Sequence, residues 1–198
     1  MPTFNIEREL GYKLIAGVDE AGRGPLAGRV YAASVILPQD ELLWEEINDS
    51  KKLSAKKRER LYDLITQNAI SYEIAYVESD EIDRINIRNA SFMAMTKAIK
   101  ALSKRPEYIL IDGNAYNGIL EIPYECVIKG DSKSISIAAA SILAKVARDR
   151  YMEEIDVSYP EYGFAKHKGY GTIQHYDAIA KYGILDIHRK SFRLEKTS

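Results

Sequence analysis

The chain has 198 residues, 46% of them apolar and 29% charged, with a formal net charge of -1. That length supports one compact domain with a real hydrophobic core, and the balance argues against a disordered chain. The near-cancelling charge argues against a uniformly basic coat for nucleic acid, so a nucleic-acid partner would need local basic patches.

Met1 to Leu10 shows no basic-then-apolar signal pattern, and no apolar run in the chain approaches transmembrane length. The expectation is a cytoplasmic protein with no membrane partner. Lys13 to Asp19 (KLIAGVD) reads as a buried strand ending in a loop, Glu20 to Gly28, whose three glycines and one proline mark a turn. Arg29 to Leu37 is β-branched and apolar, a second strand that can pair with the first as a hairpin. Ser54 can cap a helix to about Asn68, with Leu61, Leu64 and Ile65 along one face. Tyr72 to Val77 suits a third strand and Asn89 to Leu102 an apolar-rich helix. Tyr108 to Asp112 is a short buried strand stopped by Gly113, and Tyr124 to Ile128 reads as another. Cys126 lies in this last segment. As the single cysteine it cannot form an internal disulfide, and it reads as a buried thiol in a reducing compartment. Ile135 to Ile155 is alanine-rich and reads as a long helix able to pack closely on a sheet. Beyond Tyr159 tyrosine, glycine, lysine and histidine crowd together and the strand pattern disappears. The expected fold is α/β: a mixed five-stranded sheet flanked by helices over residues 1–157, with a small helical lobe over 158–198 packed on it.

Acidic residues fall at the ends of apolar strands. Asp19 and Glu20 close the first, Asp112 closes YILI, and Asp131 precedes the long helix. Ligands of such sheets collect at strand ends. Carboxylates brought together repel one another and resist ionisation, and a divalent cation reverses that penalty. Oxygen-only ligands suit magnesium or manganese better than zinc. Two ions roughly 3.5–4 Å apart can clamp the attacking water and the leaving oxygen of a phosphodiester. Taken singly, each acid reads as well as a turn residue or an ion-pair partner. Adjacent strand residues also point to opposite faces, so Asp19 and Glu20 share a site only if the strand ends there and Glu20 curls back.

The segment VDEAGRGPLAG, Val18 to Gly28, resembles the signature of type 2 ribonucleases H, specifically bacterial ribonuclease HII. DSKKLS at Asp49 to Ser54, IDGN at Ile111 to Asn114 and KGDSKSISIAAASILAKVARD at Lys129 to Asp149 are similar to the family too. So are HKGYGT at His167 to Thr172 and HRKSF at His188 to Phe192. They occur in family order from about Lys13 onward. The resemblance implies a ribonuclease H-like fold and the family's acidic set at Asp19, Glu20, Asp112 and Asp131, catalytic and metal-ligating. It implies Mg2+ or Mn2+ as cofactor, two ions during catalysis. The implied reaction is hydrolysis on the 5′ side of a ribonucleotide, leaving 3′-hydroxyl and 5′-phosphate ends. Implied substrates are RNA–DNA hybrids and duplex DNA carrying single ribonucleotides, cut by a monomer. Ser132 stands where the family often has alanine, and Ile184–Leu185 follow Gly183 where proline is frequent; neither touches the acidic set.

Gly22, Arg23 and Gly24 follow the acids directly. Glycines let the backbone approach a ligand so that its N–H groups reach phosphate or sugar oxygens. In the family this motif reads the 2′-hydroxyl that separates RNA from DNA. A site built to bond a hydroxyl can reject the analogue lacking it by roughly 10⁴–10⁵. The resemblance further implies that Tyr170 stacks on the sugar following the ribonucleotide; among fourteen tyrosines, only the motif selects it. Expected substrate contacts also include Ser50 and Lys51 from a basic cluster that runs to Arg60. Lys145 and Arg148, on one helix face, Lys168 beside the tyrosine, and Asn86 complete the set. His167, His175 and His188 lack compact zinc spacing and read as structural or phosphate-contacting. Three other readings stay open. These are a ribonuclease HIII-like hybrid nuclease, a non-catalytic hybrid-duplex binder, which the acidic set disfavours, and an integrase-like nuclease, which GRG and HKGYGT disfavour. The tail Leu194 to Ser198 is too short and polar to name a partner.

Overall fold

The structure, a computed structural model, describes residues 1–195; the last part of the tail, 196–198, lies outside them. A short helix, α1 (Asn5–Leu10), precedes the hairpin of β1 (Ile15–Ala21) and β2 (Val30–Ile36). Then come α2 (Ala55–Asn68), β3 (Ser71–Val77), α3 (Ser79–Ile85), α4 (Ile87–Ala101), β4 (Tyr108–Asp112) and β5 (Tyr124–Val127). The long helix α5 (Ile135–Ser158) leads to α6 (Phe164–His167) and α7 (Ile173–Tyr182). One five-stranded sheet has the order β3-β2-β1-β4-β5. Its first three strands are antiparallel neighbours, and β4 and β5 join in parallel. This is the mixed α/β sheet expected from the strand pattern. Among the described residues no helix is long and apolar enough to cross a membrane.

Period-two alternation sorts the sheet's side chains between two apolar layers. Ala33 and Val35 of β2 pack with Trp44, Leu61, Ile65 and the small face of α5. Ala16 and Val18 of β1, Ala32 and Ile36 of β2, and Ile109 and Ile111 of β4 pack with Ala90, Ala94 and Met95 of α4. The sheet is thus covered by α5 on one side and α4 on the other. Gly17 is where α5 comes closest. A methyl group there would sit 2.1 Å from the Ser136 carbonyl carbon, so only glycine lets the first turn of α5 lie flush on β1.

Several expectations need correction. β1 does not end at Asp19 but runs to Ala21, because β2 continues beside it, pairing Glu20 with Ala32 and Ala21 with Tyr31. Only its β4 edge stops early, at the Val18–Ile111 pair. The helix expected from Asn89 begins at Ile87, and α3 stands before it. The two meet at Asn86, whose φ of +66° breaks the helix and whose side chain caps α4 by accepting from the Asn89 N–H at 3.1 Å. Only Ser79 and Ile82 of α3 are buried, too few apolar positions to show a period. α5 runs three residues past Ile155, to Ser158. Cys126 is half-buried, because β5 is an edge strand with one open side.

The segment after α5 packs on that helix's C-terminal half through Tyr162, Phe164 and Ala178, which meet Tyr31, Tyr151 and Met152. Its three histidines, scattered in sequence, gather here. The rings of His167 and His175 stack at 4.6 Å, and His175 Nε2 lies 3.1 Å from His188 Nε2. All three are buried, which meets the structural role expected of them.

Two outcomes are expected. Gly17→Ala should lower unfolding free energy by about 1–3 kcal/mol in a denaturant titration, since a methyl there must push α5 off β1. Burial, and then the two neighbouring histidines, push the His175 ring down to about 4, whereas the unfolded ring titrates near 6.5. Folding therefore favours the neutral ring. That contribution is intact above pH 6.5 and is lost as pH falls from there toward about 4. Melting temperatures measured across that interval should drop more steeply for the unmodified protein than for His175→Asn.

Candidate active site

The site forms where β4 stops. Val18 is the last β1 residue paired with β4, so Asp19 and Asp112 come next on neighbouring strands. By alternation Asp19 lies on the α5 side of the sheet, with Gly17 and Ala21, and Glu20 on the α4 side, with Ala16 and Val18. The two do not share a face. They share Asp112, which sits at a strand end, followed by Gly113, where both faces open. A cleft of about 220 Å³ on the α5 side is lined by Asp19, Glu20 and Asp112, with Ser141 and Lys145 from α5. A second recess toward α4 is lined by Glu20 and Asp112 with Arg23, Arg88 and Ser91. Asp112 is thus common to both, and Glu20 straddles the edge of the sheet.

Electrostatics confirm that these acids feel one another. Asp19 is 5% exposed, and burial, then Glu20 and Asp112, hold its carboxyl well above the usual range. The Ser141 hydroxyl and the Glu20 amide act the other way; the amide donates to Asp19 Oδ1 at 2.7 Å. Burial also raises Glu20, with Asp112 adding to it and the Arg23 guanidinium, 3.3 Å from Oε1, opposing it. Asp131 sits in the 3-10 turn Gly130–Ser132 and is not among the residues that line the cleft. Burial, then Asp112 and Asp49, raise it, and Lys51 opposes them. Asp112 accepts from the Gly130 N–H at 2.7 Å, tying the end of β4 to the turn that carries Asp131.

Asp19, Glu20 and Asp131 are therefore penalised for carrying charge, and each would gain from a cation. The donor set is oxygen only, which fits magnesium or manganese. As the side chains stand, no three His, Cys, Asp or Glu among the described residues are arranged to hold a metal ion. Local donors account for this: one oxygen each of Asp19, Glu20 and Asp112 is turned toward a neighbouring N–H.

The cleft's remaining wall comes from four other segments. Gly22, Arg23 and Gly24 follow β1, and Ser50 and Lys51 come from the 3-10 turn Ser50–Lys52. Arg148 projects from α5, and Tyr170 stands in the loop between α6 and α7. Gly22 has φ +99°, and a methyl group on it would lie 2.3 Å from Arg148 Nε, so both conformation and space demand glycine. Arg148 is 1% exposed. Its Nη2 donates to the Lys168 carbonyl at 2.7 Å, while Nε and Nη1 are buried without a protein acceptor. The Tyr170 ring is 45% exposed, beside Gly24 and 5.7 Å from the Arg148 guanidinium carbon. Lys145 pairs with Asp149, and burial lowers its pKa. Two expected contacts stand apart from the cleft wall. Asn86 spends its side chain on the α4 cap, and Lys168 pairs through Nζ with Glu153.

Three participants escape a reading of the sequence. Asp49 is a fifth carboxylate acting on Asp131. Ser141 faces Asp19 and exchanges a 2.8 Å hydrogen bond with Ser50. Arg189, fully buried, holds the glycine loop from within. Its Nε donates to the Gly28 carbonyl at 2.9 Å, Nη1 to Arg23 and Pro25 at 3.0 and 2.9 Å, and Nη2 to Gly22 and Arg29 at 2.6 and 3.2 Å. All five guanidinium N–H groups are used on one loop. Burial, and then Arg148, push its pKa down to about 9, so it stays charged at neutral pH.

The chain is similar to known proteins over most of its length. The family model described as Ribonuclease HII matches residues 16–195. Ribonuclease HII of Clostridioides difficile (strain 630) is 57% identical over 182 residues, covering 92% of this chain and 71% of that protein. The crystal structure of ribonuclease H2 from Pyrococcus horikoshii OT3 superposes with a TM-score of 0.79 at 26% identity, over 91% of this chain and 94% of that one. The structure of Bst-RNase HIII in complex with Mn2+ superposes at 0.72 and 18% identity, over 98% of this chain and 71% of the other, a likeness of fold.

Arg189→Lys keeps a charge but offers three donors from a point instead of five from a planar fork. It should cost about 2–4 kcal/mol of stability by leaving loop carbonyls unmet. Amide hydrogen exchange should quicken across Gly22 to Arg29 while α5 stays protected; equal quickening in both would deny Arg189 its local role.

Proposed function

The chain belongs to the ribonuclease HII family and is a ribonuclease H endonuclease, and on that premise we propose that it nicks duplex DNA on the 5′ side of an embedded ribonucleotide as well as cutting RNA in RNA–DNA hybrids. One observation carries the finer reading: three of the four acids, Asp19, Glu20 and Asp112, line a single cleft with the Gly22–Gly24 loop and Tyr170. A phosphodiester lying there would meet carboxylates on one side and a glycine backbone with a phosphate-seeking arginine on the other.

Asp19, Glu20, Asp112 and Asp131 are the residues that would hold Mg2+ or Mn2+, whose charge would activate water and stabilise the leaving oxygen of the phosphodiester. The protein's own groups do the rest. The backbone of Gly22 and Gly24, lacking side chains, lets the sugar of the ribonucleotide come within hydrogen-bond reach of main-chain groups. The two unmatched nitrogens of Arg148, Nε and Nη1, favour a phosphate beside that sugar, because a buried guanidinium donor without an acceptor is costly until an anion supplies one. Lys51 and Lys145 add positive charge along the backbone track without reading sequence. The half-exposed Tyr170 ring offers a flat apolar face for the next sugar, against which a 2′-hydroxyl would be poorly placed. Residues from 158 onward would thus act as a substrate-contacting lobe on a catalytic core.

A DNA duplex containing one ribonucleotide, incubated with Mg2+ or Mn2+ and mapped at nucleotide resolution, should show one cut 5′ of that ribonucleotide. The cut should vanish with chelator and in Asp112→Asn, while Asp112→Asn still binds a hybrid in a gel-shift or anisotropy assay. Cleavage confined to continuous hybrids would replace this reading with a ribonuclease HIII-like specificity. Binding without cleavage of either substrate would leave a hybrid-duplex binder. Tyr170→Ala should lower kcat/KM at the single ribonucleotide by roughly 10–100-fold with the melting temperature unchanged.

A further inference from the structure

The three buried histidines form a chain of hydrogen bonds whose proton positions can be deduced. A backbone N–H can only donate, and Leu185 N–H points at His188 Nδ1 from 2.8 Å, closer than the Leu185 carbonyl at 3.3 Å, which already accepts the His188 N–H at 2.9 Å. That nitrogen therefore carries no proton, and the neutral ring carries its proton on Nε2. His188 Nε2 faces His175 Nε2 at 3.1 Å, so His175 must accept there and carry its own proton on Nδ1. His175 Nδ1 lies 3.0 Å from the Tyr170 carbonyl, which accepts it. The same carbonyl accepts the Thr172 N–H at 2.8 Å, so both its lone pairs are engaged. His167 is set independently: its Nδ1 accepts from Gly169 N–H at 3.2 Å, so Nε2 donates to the Tyr162 carbonyl at 2.8 Å.

We propose that His175 is the positioning residue for Tyr170, and that His188 makes it so by dictating its tautomer. The inference rests on the reading of Tyr170 as the residue that meets the substrate sugar. Tyr170 follows Lys168 and Gly169, both at positive φ, in a loop whose direction needs external support. Arg148 holds the Lys168 carbonyl, Leu26 N–H holds that of Gly169 at 2.8 Å, and the Tyr170 N–H donates to the His167 carbonyl at 2.9 Å. Among the described residues, the His175 ring is the one side chain bonded to the backbone of Tyr170 itself. It is fully buried, stacked on His167 and met edge-on by Phe164 at 5.3 Å, so it cannot turn to offer its other nitrogen. A ring with the proton on the wrong nitrogen would present a lone pair to the Tyr170 carbonyl and repel it. His188 prevents this from the far side of the ring, and Leu185 prevents it for His188. The tyrosine's entry into the cleft is thus set by a relay that ends on a main-chain N–H.

Two measurements test this. Long-range nitrogen–proton NMR correlation on the unmodified enzyme with 15N-labelled histidine, at pH 8, should show one ring protonated on Nδ1 and two on Nε2. Assignment of His175 as Nε2-protonated would overturn the proposal. Steady-state kinetics on the single-ribonucleotide duplex supply the functional arm. His175→Phe should raise KM about tenfold while kcat changes little, as expected for one lost buried hydrogen bond acting on binding. His175→Asn, whose amide N–H can stand where Nδ1–H stood, should recover most of that loss. In the Tyr170→Ala background His175→Phe should cost nothing further, because residues acting as one unit are non-additive. Full additivity, or Asn no better than Phe, would reduce His175 to a packing residue and overturn the inference. If Tyr170→Ala alone leaves kinetics unchanged, the substrate role of Tyr170 fails, and the relay with it, whatever the NMR shows.

Discussion

Three carboxylates on two neighbouring strands and a fourth on the turn before α5 crowd around Asp112, and the rest of the molecule is arranged to keep them there. Asp112 is the centre of their repulsion, since Asp19, Glu20 and Asp131 each feel it. A loose chain would relieve such strain by letting the acids drift apart. Here β1 is clamped between β2 and β4, and Asp112 is tied to the Asp131 turn by the Gly130 amide. α5 closes over the Asp19 side because Gly17 leaves room for its first turn. Stability of the apolar layers is thus used to hold a polar arrangement that is unfavourable on its own, which is how functional sites commonly relate to their scaffolds.

The second half of the cleft is built on a different principle. The glycine loop and the tyrosine loop have little regular structure, and neither carries enough apolar surface to fix itself. Each is held through its carbonyl oxygens by a buried side chain with several N–H donors or one assigned donor: Arg189 for residues 22–29, His175 for residue 170. The two loops meet through the Leu26 N–H and the Gly169 carbonyl, and Arg148 stands behind both. Rigid donors aimed at main-chain oxygens leave the loop surface free of bulky side chains. That is what a site needs if it is to admit a nucleic-acid backbone closely.

Much of this was legible in the sequence. The sheet could be read because each strand is a short apolar run with its own stop; of the acids, only Asp112 falls at such a stop. The relation between Asp19 and Glu20 could not be read. Whether a strand ends at Asp19 depends on how far its neighbours continue, and β2 continues where β4 does not. α3 escaped because a seven-residue helix with few buried positions has no detectable period. The motif HRKSF was visible, but nothing in it says that Arg189 binds five carbonyls, because carbonyl acceptors are the same in every residue and leave no mark on a sequence. The histidines lacked a ligand-like spacing for a related reason. Their meeting depends on how α6, α7 and the segment after them fold back, not on their separation along the chain.

The Arg189 contacts also say something about the order in which the molecule can be completed on the ribosome. Its partners precede it by 160 to 167 residues. The chain is made from its N-terminal end at roughly 5–20 residues per second. The strands that carry Asp19, Glu20 and Asp112 can pair early, and the turn with Asp131 follows. The loop that would recognise a ribonucleotide stays without its brace until Arg189 has left the exit tunnel. The recognition loop can therefore be braced only after the strands that carry the acids have been made.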